Sequence, residues 1–263
     1  MSFPADQSSA DRNRNPGPRR IPKALVTGAT SGIGRAVALR LAAEGFEVVV
    51  HGRDAARGAA TVEEITASGG RAGFFAADLT DPEAVRRLAE HAGDLGVLVN
   101  NAGFSWFGPT ADLDVETYDA LFAANVRAPF LLVAAVAPGM AARGDGSIIN
   151  IGSMAGTIGL AAGSAYGATK AALSALTRAW TAEFGPSGVR VNTIAAGPTY
   201  AGGAPSDRTT ALAEQTTALG ATTPLGRAAD AAEIAEAAAF LASSRASYVA
   251  GATLAVDGGR TAV

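Results

Sequence analysis

The string "SAYGATK", residues 164 to 170, sets the phenol of Tyr166 four positions before the amine of Lys170. On a helix, residues i and i+4 lie one above the other on the same face, so the ammonium can sit beside the phenol oxygen. A positive neighbour favours the phenolate and lowers a tyrosine from its ordinary pKa of about 10 toward a range where protons exchange near neutrality. The plain alternative is a half-buried tyrosine beside a solvated lysine, because long charged side chains are mostly exposed. Scarcity speaks against it: the chain has nineteen arginines and only two lysines, Lys23 and Lys170. Arginine serves wherever a generic positive charge will do, so Lys170 is expected to do something a guanidinium cannot.

A second constellation lies upstream. "KALVTG" runs straight into "ATSGIGRAVALR", which places Gly28, Gly32 and Gly34 in the turn between a first strand and a first helix. Glycine there lets the backbone approach a pyrophosphate closely, and the helix N-terminus aims free N–H groups at negative charge. The candidate dinucleotide contacts are Gly28, Thr30, Ser31, Gly32, Ile33 and Gly34. The spacing is GxxxGxG rather than the general GxGxxG, and a glycine-rich turn alone can be only a turn. In a dinucleotide fold the second strand ends about 20 residues on, with an acid for a bare ribose or an arginine for a 2′-phosphate. "VVVHGRD" places Arg53 nineteen residues beyond Gly34, with Asp54 next. A guanidinium pairs a phosphate through a fork of donors, whereas a carboxylate there repels it. NADP(H) is therefore expected ahead of NAD(H). The alternative is a solvated Arg53 and an Asp54 that only caps the next helix.

Holding these groups in place requires a sheet. From residue 23 short strand-like runs alternate with longer helical ones, the pattern of an α/β fold with a doubly wound parallel sheet and helices on both faces. "KALVTG", "EVVVHG", "AGFFAAD", "VLVNNAG", "SIINIGS", "VRVNTIAAG" and "ATLAVDGG" are seven strand candidates, most of them continuously apolar as buried parallel strands are. Ile33, Val37 and Leu41 recur at a spacing of four on the first helix, which Gly45 stops. No linker divides residues 21–263, which are expected to form a single domain. Residues 1–20 read as a mobile polar tail rather than a secretory signal. The irregular stretch 199–227 is long for a connection and is assigned to substrate contact.

Composition narrows the function classes. The 263 residues are 48% hydrophobic and 17% charged, enough for a sizeable core. A formal charge of -3 offers no reason to expect nucleic acid as a partner. With no cysteine, and with His51 and His91 outside any metal-ligand spacing, no metal is expected. "FLLVAAVAPGMAA" is interrupted by Pro138 and Gly139 and falls short of the ~18 residues of a spanning helix, so no membrane partner is expected and the cytoplasm is the expected compartment.

Four signatures now stand in register: "TGATSGIG" after strand one, "NNAG" after strand four, Ser153 after strand five and "YGATK" leading the next helix. Together they resemble the short-chain dehydrogenase/reductase family, over nearly everything from Lys23 to the "VDGG" at 256–259. The ending "PLGRAADAAEIAEAAAFLASSRASYVAGATLAVDGG" is similar to that of single-domain ketoreductases, the 3-oxoacyl-carrier-protein reductases among them. The resemblance implies a Rossmann-type seven-stranded parallel sheet and a homotetramer that pairs the helices around 119–141 and 166–184. It implies catalytic roles for four residues. Ser153 binds the substrate oxygen, Tyr166 donates or removes its proton, Lys170 holds the nicotinamide ribose and tunes Tyr166, and Asn125 completes a proton relay through water. The same resemblance assigns Asp78 and Leu79 to the adenine and the segment of Asn100, Asn101, Ala102 and Gly103 to the ribose and nicotinamide. Thr27 is expected to hold strand ends together.

One departure concerns the nicotinamide end. The family's Pro-Gly after strand six, with threonine four residues beyond the glycine, is here "AAGPTYAGG". Ala196 replaces the proline and Ala201 the threonine, leaving Gly197 and Thr199 as the candidate contacts. Phe104, Trp106, Phe107, Ile158, Leu160 and Tyr200 make the expected substrate pocket mostly apolar, which suits a hydrophobic ketone or alcohol. The implied activity is NADP(H)-dependent hydride transfer between the nicotinamide and a ketone or secondary alcohol, 3-oxoacyl thioesters included. The alternatives are a dinucleotide-binding sensor or scaffold without turnover and a non-redox epimerase or dehydratase.

Overall fold

The structure is a computed structural model that describes residues 22–200 and 211–263; the expected tail at 1–20 and residues 201–210 of the expected substrate loop lie outside it. Apolar runs become strands β1 (Lys23–Val26), β2 (Glu47–Gly52), β3 (Arg71–Ala76), β4 (Val97–Asn100), β5 (Gly146–Ser153), β6 (Val189–Ala196), the two-residue β7 (Thr199–Tyr200) and β8 (Ala229–Asp230), and β9 (Thr253–Val256). Seven of them form one sheet in the order β3-β2-β1-β4-β5-β6-β9, and β7 pairs with β8. Every neighbouring pair in the large sheet is parallel.

Parallel strands need crossovers, and the helices supply them on both faces. On one face α1 (Gly32–Ala43), α2 (Ala55–Ala67) and α8 (Ala231–Ala242) bury Val37, Leu41, Ile65, Ile234 and Leu241 against Val26, Val50, Val99 and Ile151. On the other, α3 (Pro82–Ala92), α5 (Ala128–Arg143) and α6 (Ser164–Phe184) bury Leu88, Leu132, Met140, Leu173 and Trp180 against Leu25, Val49, Leu98 and Ile148. Alternate residues of each strand thus feed opposite cores, which is why the strands read as unbroken apolar runs. The chain leaves β1 outward to β3 and then returns to place β4 on β1's other side. That reversal opens a crevice beyond the carboxyl ends of the strands. As expected, Gly45 follows α1 in the left-handed region, at φ 91°.

Two expectations need correction. Pro138 does not interrupt its helix: α4 (Val115–Phe122), a π-helical turn at Ala123–Arg127 and α5 form one 29-residue helix, Val115–Arg143. Pro138 lies on its exposed side, as does Ala134, whose carbonyl the missing N–H leaves free, so water can serve it. Although this helix is long and apolar enough to cross a membrane, half of its apolar window is buried inside the fold. The stretch 199–227 is not wholly irregular either, since it contains β7 and the helix α7 (Ala211–Gly220).

Candidate active site

Beyond the ends of β1 to β4 lies a cleft of about 680 Å³. Of the sequence candidates, Gly28, Thr30, Ser31, Ile33, Arg53, Asp78, Leu79, Asn101, Ala102, Gly103 and Thr199 line it. Gly32 and Gly34 are not among its lining residues and instead shape the turn. Gly28 and Gly32 take φ values of 65° and 53°, and a Cβ at Gly34 would stand 2.2 Å from the Gly28 carbonyl oxygen. Only glycine lets α1 start this close to the turn. Thr27 holds strand ends together as expected: its hydroxyl donates to the Val99 carbonyl (3.2 Å) and accepts from the Asn101 and Ala102 amides (2.9 and 3.0 Å). The Asn101 amide nitrogen donates to the carbonyls of Thr27 and Gly28. Asn100, by contrast, is buried and points into the core, where it donates to Asn150 Oδ1.

The side of the cleft beyond β2 and β3 carries the charges. Asp54 caps α2 by accepting from the Arg57 amide and also pairs with the Arg57 guanidinium at 2.8 Å. Arg53, 80% exposed, stands 3.9 Å from Asp78. Asp78 accepts from the amide and hydroxyl of Thr80, and these bonds hold its carboxyl below the ordinary range. The cleft also has lining residues that the sequence did not single out as contacts, among them His51, Arg57 and Thr80, and it includes Phe104, which was expected in the substrate pocket. Arg57 was legible in principle, as the first basic residue of the helix that Asp54 caps. Gly197 does not line the cleft; a Cβ there would meet Asp257 Cα at 2.5 Å, so it lets β6 close against the Asp257 turn.

The four catalytic candidates converge on α6. Ser153 ends β5 opposite Ala196, its hydroxyl accepts from the Ala155 amide at 3.2 Å, and it shares a side-chain hydrogen bond with Tyr166. Phe107 packs edge-on against Tyr166 with ring centres 5.5 Å apart. Lys170 is buried, donates to the Ile151 carbonyl at 2.9 Å and lies 5.7 Å from the centre of the Tyr166 ring. Burial lowers Lys170 from its usual range to about 8. The expected lowering of the Tyr166 pKa is not observed: burial raises it, and the Ser153 hydrogen bond opposes this only in part. Spacing predicted the neighbour but not the desolvation, which here is the larger effect.

Asn125 sits in the π-helical turn, a local widening often found at functional sites. Its amide nitrogen donates to the Phe104 carbonyl and to Thr169 Oγ1, and its oxygen accepts from the Phe104 amide. Thr169 in turn donates to the Tyr166 carbonyl at 2.7 Å. Asn125 thus ties the loop after β4 to α6. A Cβ at Gly103 would meet Asn125 Oδ1 at 2.4 Å.

Ser153, Tyr166 and Lys170 are not among the residues that line the 680 Å³ cleft; they stand at the end of β5 and the start of α6. Relatives match the chain along nearly its whole length. The family profile described as "Enoyl-(Acyl carrier protein) reductase" matches residues 28–261. The chain is 41% identical to the cis-4-hydroxycyclohexanecarboxylate dehydrogenase of Sinomonas cyclohexanicum, over 91% of this chain and 96% of that protein. A solved short-chain dehydrogenase/reductase family protein is 50% identical with a TM-score of 0.84, covering 92% of this chain and 98% of its own. A blue fluorescent protein from a metagenomic library, solved in complex with NADPH, is 37% identical with a TM-score of 0.83, covering 91% and 97%. The chain is an oxidoreductase of the short-chain dehydrogenase/reductase family.

Proposed function

We propose that this protein transfers a hydride between NADP(H) and a hydrophobic ketone or secondary alcohol, cyclic or 3-oxoacyl-like. The observation that carries the proposal is the meeting of Ser153, Tyr166 and Lys170 at the ends of β5 and α6. The residues present fit a dinucleotide: the cleft is large enough, the turn ahead of α1 carries left-handed glycines at 28 and 32 before the helix N-terminus, and Lys170 has N–H donors beyond the one given to Ile151. When bound, the nicotinamide gives or takes the hydride. Ser153 donates a hydrogen bond to the substrate oxygen, and Tyr166 gives that oxygen its proton as charge develops, or removes it in the reverse direction. Burial keeps Tyr166 protonated, the form that a reduction consumes. Lys170 orients the ribose and favours the phenolate that an oxidation requires. Both amide hydrogens of Asn125 are committed, so in a water relay this residue serves through an oxygen acceptor rather than as a side-chain donor.

Arg53 supports NADP(H) over NAD(H): it is exposed at the end of β2, and the adjacent carboxylate of Asp54 is taken up by Arg57 and the α2 cap. The exposed rings of Phe104 and Phe107 and the named activity of the Sinomonas relative support an apolar, cyclic-type substrate. Phe130, 48% exposed and packed beside Trp180, supports pairing of α5 and α6 in a homotetramer. A panel of cyclic and 3-oxoacyl carbonyl compounds, assayed with NADPH and NADH by the loss of near-ultraviolet nicotinamide absorbance, tests this reading. Turnover with NADPH is expected, with the preference weakened in Arg53→Ala. Tight nucleotide binding without turnover of any carbonyl would refute it, and an unchanged preference in Arg53→Ala would remove Arg53 from the account.

A further inference from the structure

The imidazole of His51 is buried, 2% exposed, and belongs to none of the roles above. It lies near the end of β2, where both ring nitrogens have main-chain partners on different elements. Nδ1 accepts from the Gly28 amide at 3.2 Å, and Nε2 lies 3.1 Å from the Ala77 carbonyl. Because an N–H and a carbonyl make opposite demands, the ring must be neutral with its proton on Nε2. The imidazolium would direct a second N–H at the Gly28 amide. Burial accordingly lowers the His51 pKa to about 4, although the nearby Asp78 carboxylate pulls the other way.

The main chain of the same strand end makes parallel ties. The Ala29 amide donates to the His51 carbonyl at 2.7 Å, and the Ala77 amide donates to the Gly52 carbonyl at 3.2 Å. One short segment of β2 therefore joins the glycine turn after β1 to the residue preceding Asp78. From the β4 side the turn is held by the Asn101 side chain, which donates to the Thr27 and Gly28 carbonyls, while Ser31, at the start of α1, makes no side-chain capping hydrogen bond. Glycine in the left-handed region is also the backbone with the most freedom to lose.

We propose that His51 is a positioning residue for the nucleotide: its neutral ring braces the pyrophosphate turn at Gly28 against the adenine side at Ala77 and Asp78, setting the width of the cleft before the cofactor arrives. The inference rests on the dinucleotide reading above. It predicts a loss of cofactor affinity rather than of chemistry, because Ser153, Tyr166 and Lys170 lie on β5 and α6.

The test compares His51→Leu, which removes both contacts, with His51→Asn, which keeps an acceptor near Nδ1, and His51→Gln, which keeps an N–H near Nε2. Dissociation constants for NADPH and NADH are read by titration of nucleotide fluorescence, alongside kcat at saturating cofactor and the melting temperature. The expected result is affinity at least about tenfold weaker in His51→Leu, intermediate losses in His51→Asn and His51→Gln, and kcat within about twofold of wild type. Independently of any nucleotide, nitrogen NMR of the wild-type ring is expected to show the Nε2–H tautomer at neutral pH. Wild-type affinity in His51→Leu, or a fall in kcat without a change in affinity, overturns the proposal. Should His51→Leu not fold, wild-type affinity in both other variants overturns it. A wild-type protein that binds neither nucleotide would instead defeat the dinucleotide reading, leaving the tautomer measurement to decide the brace.

Discussion

Replacing Lys170 with methionine should separate stability from activity. The ammonium is buried with one hydrogen bond, to the Ile151 carbonyl, and its pKa falls to about 8 from the usual 10.5. At 1.36 kcal/mol per unit, the folded protein carries a penalty of about 3 kcal/mol for keeping that charge at neutral pH. Methionine fills a similar volume without charge, and the loss of a donor to Ile151 costs about 1 to 3 kcal/mol. Lys170→Met is thus expected to be between equal to wild type and about 2 kcal/mol more stable near pH 7, raising Tm by about 2–4 °C per kcal/mol. Activity should fall by at least about a hundredfold, the scale of a lost acid–base device. The pH dependence supplies a second check. Between about 8 and 10.5 the unfolded chain holds a proton that the folded chain does not, so wild-type stability rises with pH across that window. The penalty is complete below it and absent above it, and the advantage of the variant shrinks accordingly. Melting curves at neutral and alkaline pH, paired with turnover assays, would show this. A variant several kcal/mol less stable at neutral pH, or a stability gap that ignores pH, would refute the reasoning.

Tyr166→Phe keeps the edge contact with Phe107 and loses only the hydroxyl shared with Ser153. Its kcat should drop by about a hundredfold or more while Tm moves by only a few degrees; near-normal turnover would contradict the proton-transfer role. Gly34→Ala drives a methyl into the Gly28 carbonyl and the Asn101 amide. It should cost about 1–3 kcal/mol and weaken nucleotide binding, as read by melting and fluorescence titration, and a variant with unchanged melting would mean the turn can yield.

The sheet was legible because parallel strands covered on both faces leave apolar runs in the sequence, and the glycine turn because a side chain at position 28 would be strained at φ 65° and crowd Ala102 Cα at 2.9 Å. Tyr166 and Lys170 stood out through their spacing and the rarity of lysine. What remained hidden depends on partners distant in the chain. His51 finds its partners 23 and 26 residues away, and nothing in "VVVHGRD" announces that both neighbouring strands end there. Asn125 came from family resemblance alone, because its bonds to Phe104 exist only once the loop after β4 has folded over the long helix. The sign of the Tyr166 shift and the passage of a helix through Pro138 likewise depended on burial and exposure, which spacing does not encode.

The missing side chain at Gly103 has an effect that travels well beyond its own loop. Any larger residue there would push aside the carboxamide of Asn125, and with it the latch that reaches Thr169 and the backbone of Tyr166. Positions 103 and 125 are therefore not free to change one at a time. On the proposed mechanism, a mutation in the loop would register as a fault in proton transfer, although no atom that handles the proton had been altered.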